Sequence, residues 1–161
     1  MLTLTDLETA HARKTTAALN RCVEICTDGE KGFGAAAADV RNTTLKAIFR
    51  LYESQRADFV RSLQAEIDAL GYTHENQGTV RGTLHRAWTG ARLQLEGRND
   101  EVIVDECMRG EIAALRVYDQ LLLHADTFLD RTRVLLVRQR EAIAGALEEM
   151  KTRLAFPPKA P

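Results

Sequence analysis

Proline is confined to the last five residues of the chain, at Pro157, Pro158 and Pro161. Proline removes a backbone donor and its ring clashes with the preceding turn, so it is the residue that most strongly interrupts an α-helix. The residues before Pro157 are therefore free to form long helices, and none of them shows the sustained alternation of β-branched residues that indicates strands. The sequence predicts an all-α protein.

Capping residues, glycines and the spacing of apolar residues predict four long helices. Helix 1 is predicted over about 5–40, with Thr5 and Glu8 as a capping box at its start and a weak point at three glycines within 29–34. Helix 2 is predicted over about 43–70, where Gly71 ends it. Helices 3 and 4 are predicted over about 100–124 and 126–154, and a shorter amphipathic helix over about 80–95.

Two long helical hairpins joined by a connection of about 30 residues predict a four-helix bundle with a long crossover that carries a short fifth helix. This differs from a simple up-down-up-down bundle, in which every connection is short. We expect a single domain over 1–156, in which residues 1–15 form an overhanging N-terminal part of helix 1. Residues 157–161 are expected to form a flexible tail.

Two short phrases occur twice, in the same order. The pattern C-x-x-G-E is found at 26–30 and again 81 positions later, at 107–111. The dipeptide Gln-Arg is found at 55–56 and again 84 positions later, at 139–140. Because both phrases repeat at similar positions of their helices, we interpret the chain as an internal duplication of a helical hairpin.

The apolar stripe of each long helix is interrupted once, near its middle, by a charged residue. Burying a single charge costs several kcal/mol, so buried charges are normally paired. The planar fork of an arginine suits a carboxylate. We therefore predict a polar layer across the core, with two interpretations: an ion-pair layer that fixes helix register, or a metal or redox site. Its predicted members are Glu30, Arg56, Glu111 and Arg140, with the neighbouring Gln55 and Gln139.

Several of these phrases resemble a known family. Gly29-Glu30 with Phe33, followed by the helix over 45–63, resembles the first hairpin of ferritin-like and rubrerythrin-like proteins. The phrase CTDGEKGF at 26–33, the Gln-Arg at 55–56, HRAW at 85–88 and Gly110-Glu111 resemble more closely a bacterial ferritin-like four-helix-bundle family of unknown function. The resemblance covers about 19–150 and implies a ferritin-like fold.

In metal-loaded ferritin-like bundles two helices each give one Glu and two others each give Glu-x-x-His. By this resemblance Glu30 and Glu111 match the single-Glu positions and are the candidate metal ligands. The other two helices carry Arg56 and Arg140, which would repel a metal ion. Asp58, Glu66 or Glu141 could complete a site only by facing inward, against the stripe.

We therefore expect no cofactor, no catalytic residue and a non-enzymatic bundle that is stress-related or binds a partner, the stress link coming only from the resemblance. The alternative is a degenerate metal-binding oxidase or iron-handling protein that uses Glu30 and Glu111. No serine or cysteine has an identifiable His and carboxylate partner for nucleophilic catalysis.

Two further sets of residues carry structural expectations. Cys22, Cys26 and Cys107 are expected to be small buried core residues, because a thiolate site of the usual kind needs four Cys or His ligands. The crossover helix, with His85, Arg86 and Trp88, is expected to run along a groove of the bundle and bury Trp88. His85 is expected to cap a bundle end or contact the polar layer.

Charge and length set the expected partners. The formal net charge is −1 and the isoelectric point near 6.4, without a basic block, so nucleic acid is not expected as a partner. No stretch has the length of a membrane span, and an odd number of cysteines without a secreted framework favours a cytoplasmic protein. An overhanging, partly apolar N-terminal helix predicts a homodimer or higher oligomer through that segment.

Overall fold

The computed structural model describes residues 3–72 and 99–155. Across those ranges it has no β-strand, and the all-α prediction is confirmed. The helices are α1 (Leu4–Asp39), α2 (Thr43–Ala69), α3 (Asp100–Leu122), a single 3-10 turn at Ala125–Thr127, and α4 (Asp130–Ala155). The predicted helix over 80–95 and the tail over 157–161 lie outside the described residues.

The start of α1 differs from the predicted one. Thr3, not Thr5, caps the helix: its hydroxyl accepts the amide of Asp6 at 3.2 Å, and the Asp6 carboxylate accepts the amide of Thr3 at 2.9 Å. The carbonyl of Thr5 already accepts a hydrogen bond from the Thr9 side chain inside the helix. Both threonines have an acidic residue three positions later, and the earlier pair adds further residues to the helix.

Two other helix bounds also differ from the sequence prediction. α1 runs unbroken through the glycine-containing stretch where a weak point was predicted. These glycines allow α1 to pack closely against α2, because a side chain at Gly29 would crowd Arg56 and one at Gly34 would crowd Glu53. α4 begins at Asp130 instead of near residue 126, because the chain first makes the short 3-10 turn.

One end of the bundle is fixed by Asn42 and Asp100. Asn42 is one of three candidate caps for this helix in the sequence, with Thr43 and Thr44, and its side chain accepts the amides of Thr44 and Leu45 and so caps α2. The Asp100 carboxylate, in the first turn of α3, accepts the amides of Arg41 and Asn42, each at 2.8 Å. The beginning of α3 is therefore bonded to the turn between α1 and α2.

The helix directions follow from the contacts between side chains. Cys26 of α1 meets Tyr118 of α3, whereas the C-terminal end of α1 meets the start of α3, so these two helices are antiparallel. Tyr52 of α2 bonds Glu149 of α4. α2 and α3 both begin at the end that Asp100 fixes and run parallel. The order is up-down-down-up, which is the predicted departure from a simple up-down-up-down bundle.

The apolar core is divided into two clusters along the bundle. Each cluster contains residues from all four helices. The cluster nearer the Asp100 end includes Phe33, Phe49, Tyr52, Ile103 and Met150. The cluster nearer the other end includes Leu19, Cys22, Leu63, Tyr118 and Ile143. Arg56 and Glu111 are fully buried but belong to neither cluster. A polar layer therefore separates two apolar halves.

Candidate functional site: a buried arginine–glutamate pair

The centre of the bundle holds an ion pair between Arg56 of α2 and Glu111 of α3. The Nη2 of Arg56 donates to Oε2 of Glu111, and the side chains are only 1% and 2% exposed. The Nη1 of Arg56 donates to Oε1 of Gln55 at 2.6 Å. Removing one member of such a pair would leave the other as a buried, uncompensated charge.

Apolar groups hold the arginine in place on both sides. Its guanidinium carbon lies 5.7 Å from the ring centroid of Phe33 and 5.2 Å from that of Phe59. Its aliphatic stem passes close to α1, since a Cβ added at Gly29 would lie 3.2 Å from Cγ of Arg56. Gly29, the glycine of the first C-x-x-G-E phrase, therefore leaves room on α1 for the stem of Arg56 on α2.

The electrostatics of the pair are those of a desolvated site. Burial raises the pKa of the Glu111 carboxyl, and the attraction of Arg56 lowers it by less, so the pKa lies above its ordinary value. The Nε of Arg56 is buried and has no hydrogen-bond partner among the described residues. The pair therefore retains an unmet polar group even though its charges are matched.

The structure does not bring all four predicted charges into this layer. Glu30 is half-buried on α1, and within residues 3–72 and 99–155 no hydrogen bond or ion pair to its side chain is found. Arg140 is 38% exposed and pairs at the surface with Asp119, at 2.8 Å. The expected burial of Arg140 is therefore not found, because Asp119 offers it a carboxylate in water.

A second buried network lies on the other side of the pair and includes Gln139. The amide nitrogen of Gln139 donates to the carbonyl of Phe59 at 3.3 Å, so its oxygen faces Tyr118 and accepts the Tyr118 hydroxyl at 2.6 Å. The sulfur of Cys26 lies 3.2 Å from the same hydroxyl oxygen. Since the single hydroxyl hydrogen goes to Gln139, the thiol of Cys26 is the donor.

The thiols lie where small core residues were expected. Cys22 and Cys26 are fully buried, Cys107 is half-buried, and all three are free. Burial raises the pKa of the Cys22 thiol to about 12 and that of the Cys26 thiol to about 11, and raises that of Cys107 as well. These thiols are therefore held in the neutral form.

Three predicted residues cannot be placed, and several important ones were not predicted. His85, Arg86 and Trp88 lie outside the described residues. No functional role was predicted for Asp119, Tyr118 or Phe59. The phenol oxygen of a tyrosine in a core stripe requires a partner, which is a usable signal for Tyr118. No comparable signal marks Asp119.

The comparison with protein families decides the membership of the chain. The model of the family "Domain of unknown function (DUF2383)" matches residues 14–124, more than half of the sequence.

The chain belongs to the DUF2383 family.

The matched region begins close to the point where α1 becomes buried, at Thr15, and it includes Arg56 and Glu111. No curated protein matches the sequence.

A solved structure shows the fold. The chain is similar to a two-domain protein from Anabaena variabilis that contains DJ-1/ThiJ/PfpI-like and ferritin-like domains, with a TM-score of 0.73 and 9% sequence identity. The match covers 93% of this chain and 41% of that protein, so the chain spans less than half of its length. The DUF2383 chain therefore has a ferritin-like fold, and the likeness extends no further than the fold.

Metal-loaded ferritin-like bundles hold a di-metal site at mid-bundle, and the residues present here do not fit one. Arg56 places a cation against the Glu111 carboxylate. Glu66 is bonded by Arg131 and Thr132, and Asp58 is exposed beside Arg61. Within the two described ranges no three His, Cys, Asp or Glu side chains converge to hold a metal ion.

In the same ranges no helix is both long enough and apolar enough to cross a bilayer.

Proposed function

We propose that this DUF2383 chain is a non-enzymatic ferritin-like bundle in which a buried arginine–glutamate pair replaces the di-metal site. The observation that carries the proposal is the ion pair of Arg56 and Glu111, fully buried between two apolar clusters. A guanidinium at this position occupies the carboxylate and repels a cation. The layer then acts as a structural element that fixes the register of α2 against α3.

The metal content of the purified protein tests this proposal. The protein is produced with iron and manganese supplied and compared with the double variant Glu30→Gln/Glu111→Gln. We expect only trace metal in both, because the arginine already satisfies Glu111. Near-stoichiometric metal in the unaltered protein that is lost in the double variant would contradict the proposal.

The alternative is a degenerate metal-binding oxidase or iron-handling protein. The observation that favours it is Glu30, which is half-buried and for which no partner is found among the described residues. The single variant Arg56→Met tests whether the arginine is what keeps metal out of the layer. If the arginine is what excludes metal, its removal frees Glu111 and raises the metal content, whereas an unchanged trace content supports a layer that has lost metal binding altogether.

We further propose that the bundle acts as a homodimer or higher oligomer, or binds a protein partner, through the N-terminal part of α1. Leu4 is 81% exposed and Leu7 is 54% exposed, and α1 has 36 residues against 27 in α2. At 1.5 Å per residue α1 is about 54 Å long, some 13 Å longer than α2. The commonest occupant of such a surface is a second copy of the same chain.

The mass in solution tests the oligomer. We expect light scattering to give a smaller mass for a chain that begins at Thr16 and for the variant Leu4→Ser/Leu7→Ser. The matched control is Leu51→Ser, which changes a leucine on α2 that is 64% exposed and should leave the mass unchanged. A full-length mass equal to that of one chain would contradict the proposal.

A cytoplasmic location and a stress-related role are also part of the proposed function. The location rests on the free thiols, and the stress-related role rests on the family resemblance.

A further inference from the structure

The exposed apolar side chains of the bundle are concentrated at one end. Most of the large ones in residues 3–72 and 99–155 lie at the end away from Asp100, where α1 begins, α3 ends and α4 begins. They are Leu4, Leu7, Leu123, Leu129 and Val134. A concentration of exposed apolar residues marks a surface that contacts another molecule. The proposed oligomer uses only the two leucines of α1, so the others require an explanation of their own.

The first surface at this end is the overhang, residues 4–14 of α1, which project past Thr15, the first buried residue of the helix. Leu4, Leu7 and His11 continue, at spacings of three and four residues, the stripe of α1 that is buried from Thr15 onward. At 1.5 Å per residue Leu4 lies about 17 Å beyond Thr15. The core-facing stripe of α1 therefore extends past the bundle and is exposed there.

The second surface is the end surface, formed by Leu123 and Leu129 on either side of the 3-10 turn between α3 and α4. These side chains are 78% and 47% exposed, whereas the neighbouring Leu122 and Phe128 pack against the apolar cluster. Because α3 is antiparallel to α1, the end surface lies beside the base of the overhang. The leucines near the tip of the overhang lie beyond it and leave it exposed in their own chain.

A second copy of the chain fits both surfaces at once. When two overhangs lie side by side and antiparallel about a two-fold axis, the tip of each overhang reaches the base of the other. The end surface of the second chain lies at that base. The two-fold axis makes the same contact twice, so each copy gives its tip leucines to the other and receives those of the other.

The charges of the overhang favour the antiparallel arrangement. Its tip half carries Asp6 and Glu8, and its base half carries Arg13 and Lys14. Antiparallel pairing places the acidic half of one copy beside the basic half of the other, whereas parallel pairing would bring like charges together. Exposed charge pairs add little affinity, but such complementarity fixes the orientation of two surfaces.

We propose that two copies of the chain pair through antiparallel overhangs, with Leu4 and Leu7 of each copy packed on Leu123 and Leu129 of the other. The inference rests on the proposed function, which gives the N-terminal part of α1 an interface, and it names the surface of the second copy that receives this segment. Neither surface includes a residue of the buried ion-pair layer.

The mass in solution of Leu123→Ser/Leu129→Ser tests the end surface. We expect the full-length protein to be a dimer, and the variant to dissociate at a concentration about 100-fold higher, because both leucines are lost from both copies. The matched control Leu51→Ser/Ile112→Ser changes two exposed apolar residues elsewhere on the bundle and should leave the dimer unchanged.

The outcomes separate this inference from the proposed function. A dimer that Leu123→Ser/Leu129→Ser leaves intact would contradict the inference alone. A mass that keeps rising with concentration beyond two chains would show head-to-tail contacts and would also contradict the reciprocal pairing. A full-length protein that is a monomer would contradict the proposed oligomer and the inference together.

Charge reversal tests the orientation without changing a leucine. Glu8→Lys and Lys14→Glu should each weaken the dimer by roughly tenfold, because each turns an attraction into a repulsion in both halves of the symmetric contact. The combined variant Glu8→Lys/Lys14→Glu should restore the affinity, because opposite charges again face each other between antiparallel overhangs. Single variants that dimerise like the unaltered protein, or a combined variant that recovers no affinity, would overturn the antiparallel arrangement.

Discussion

The two hairpins carry the same phrases in sequence and use them differently in space. In the first hairpin Arg56 turns inward and Gly29 packs against its stem. In the second Arg140 turns outward to Asp119, and no neighbouring group among the described residues lies within 4 Å of a Cβ placed at Gly110. The glutamates reverse this order, since Glu111 is buried and Glu30 is only half-buried. One buried pair is thus built from one residue of each hairpin.

The difference shows how two copies of one phrase can take different positions around a charged layer. The layer contains one guanidinium and one carboxylate, and a second pair would add a further desolvation cost of several kcal/mol per ion. In the second hairpin the neutral Gln139 takes the inward position instead and bonds Tyr118 and the Phe59 carbonyl. The two phrases also repeat at different spacings, 81 and 84, and the turn before α4 is longer than the turn before α2.

The largest expected effect on stability is the loss of Arg56, compared with the loss of Arg140. Arg56→Met should destabilise the protein by about 3–5 kcal/mol, because it leaves the Glu111 carboxylate buried without a partner. Arg140→Met should cost less than about 1 kcal/mol, because its pair with Asp119 is solvent-exposed. Urea unfolding of the two variants measures both values. Equal losses of unfolding free energy in the two variants would show that Arg140 stabilises the fold as much as Arg56 does.

Replacing both members of the buried pair should remove most of this cost. The double variant Arg56→Met/Glu111→Leu has no buried charge, and apolar replacements of buried ion pairs are often neutral or stabilising by about 1–4 kcal/mol. We therefore expect it to be much more stable than Arg56→Met alone. If the double variant is as unstable as the single one, the loss comes from packing and not from the unpaired carboxylate.

The glycines of the two phrases should respond to alanine with opposite signs. Ala is favoured over Gly in a helix interior by roughly 1 kcal/mol, so Gly110→Ala should stabilise the protein by up to that amount. At Gly29 the new Cβ meets the stem of Arg56, which the two phenylalanine rings and Glu111 keep from moving. Gly29→Ala should therefore be destabilising by about 1 kcal/mol, as overpacking commonly is. Thermal melts compare the two, and stabilisation by both would exclude the close approach.

The smallest expected effect concerns pH. The pKa of Glu111 is higher in the folded protein than its ordinary value of 4.5, so the folded state holds this proton to higher pH. Its contribution to stability is then most favourable below 4.5 and declines as the pH rises through the folded-state pKa. Unfolding free energies of the unaltered protein and Glu111→Gln, measured across this window, should show a steeper decline in the former, because the carboxyls of Glu24 and Asp28, whose pKa values are also raised, remain in both. An identical pH dependence in both would contradict the raised pKa.

The sequence predicts the fold well because the signals for it are local. The cap at Asn42 and the glycine at 71, which has φ of 82°, each act within a few residues of the helix end that they define. The absence of proline likewise acts within each helix. The inward position of Arg56 and Glu111 agrees with the apolar stripes around them, but the same stripes also predicted Glu30 and Arg140 in the core.

The sequence could not predict how each charged residue is used, because this depends on neighbours from other helices. A stripe position allows an arginine either to enter the core or to extend to the surface along its own flexible stem. Arg140 takes the second course because Asp119 of α3 lies within reach, and no pattern in the sequence links these two residues. The Cys26–Tyr118–Gln139 network likewise joins three helices and has no local signal.

A pair of double-mutant cycles tests the central claim most directly. One cycle combines Arg56→Met with Glu111→Leu, and the other combines Arg140→Met with Asp119→Ala; unfolding free energies give the coupling within each pair. We predict a coupling of about 2 kcal/mol or more for the buried pair and less than about 0.5 kcal/mol for the exposed pair. Couplings of equal size would contradict the claim that the pair of Arg56 and Glu111 is buried and strongly coupled whereas the pair of Arg140 and Asp119 is not.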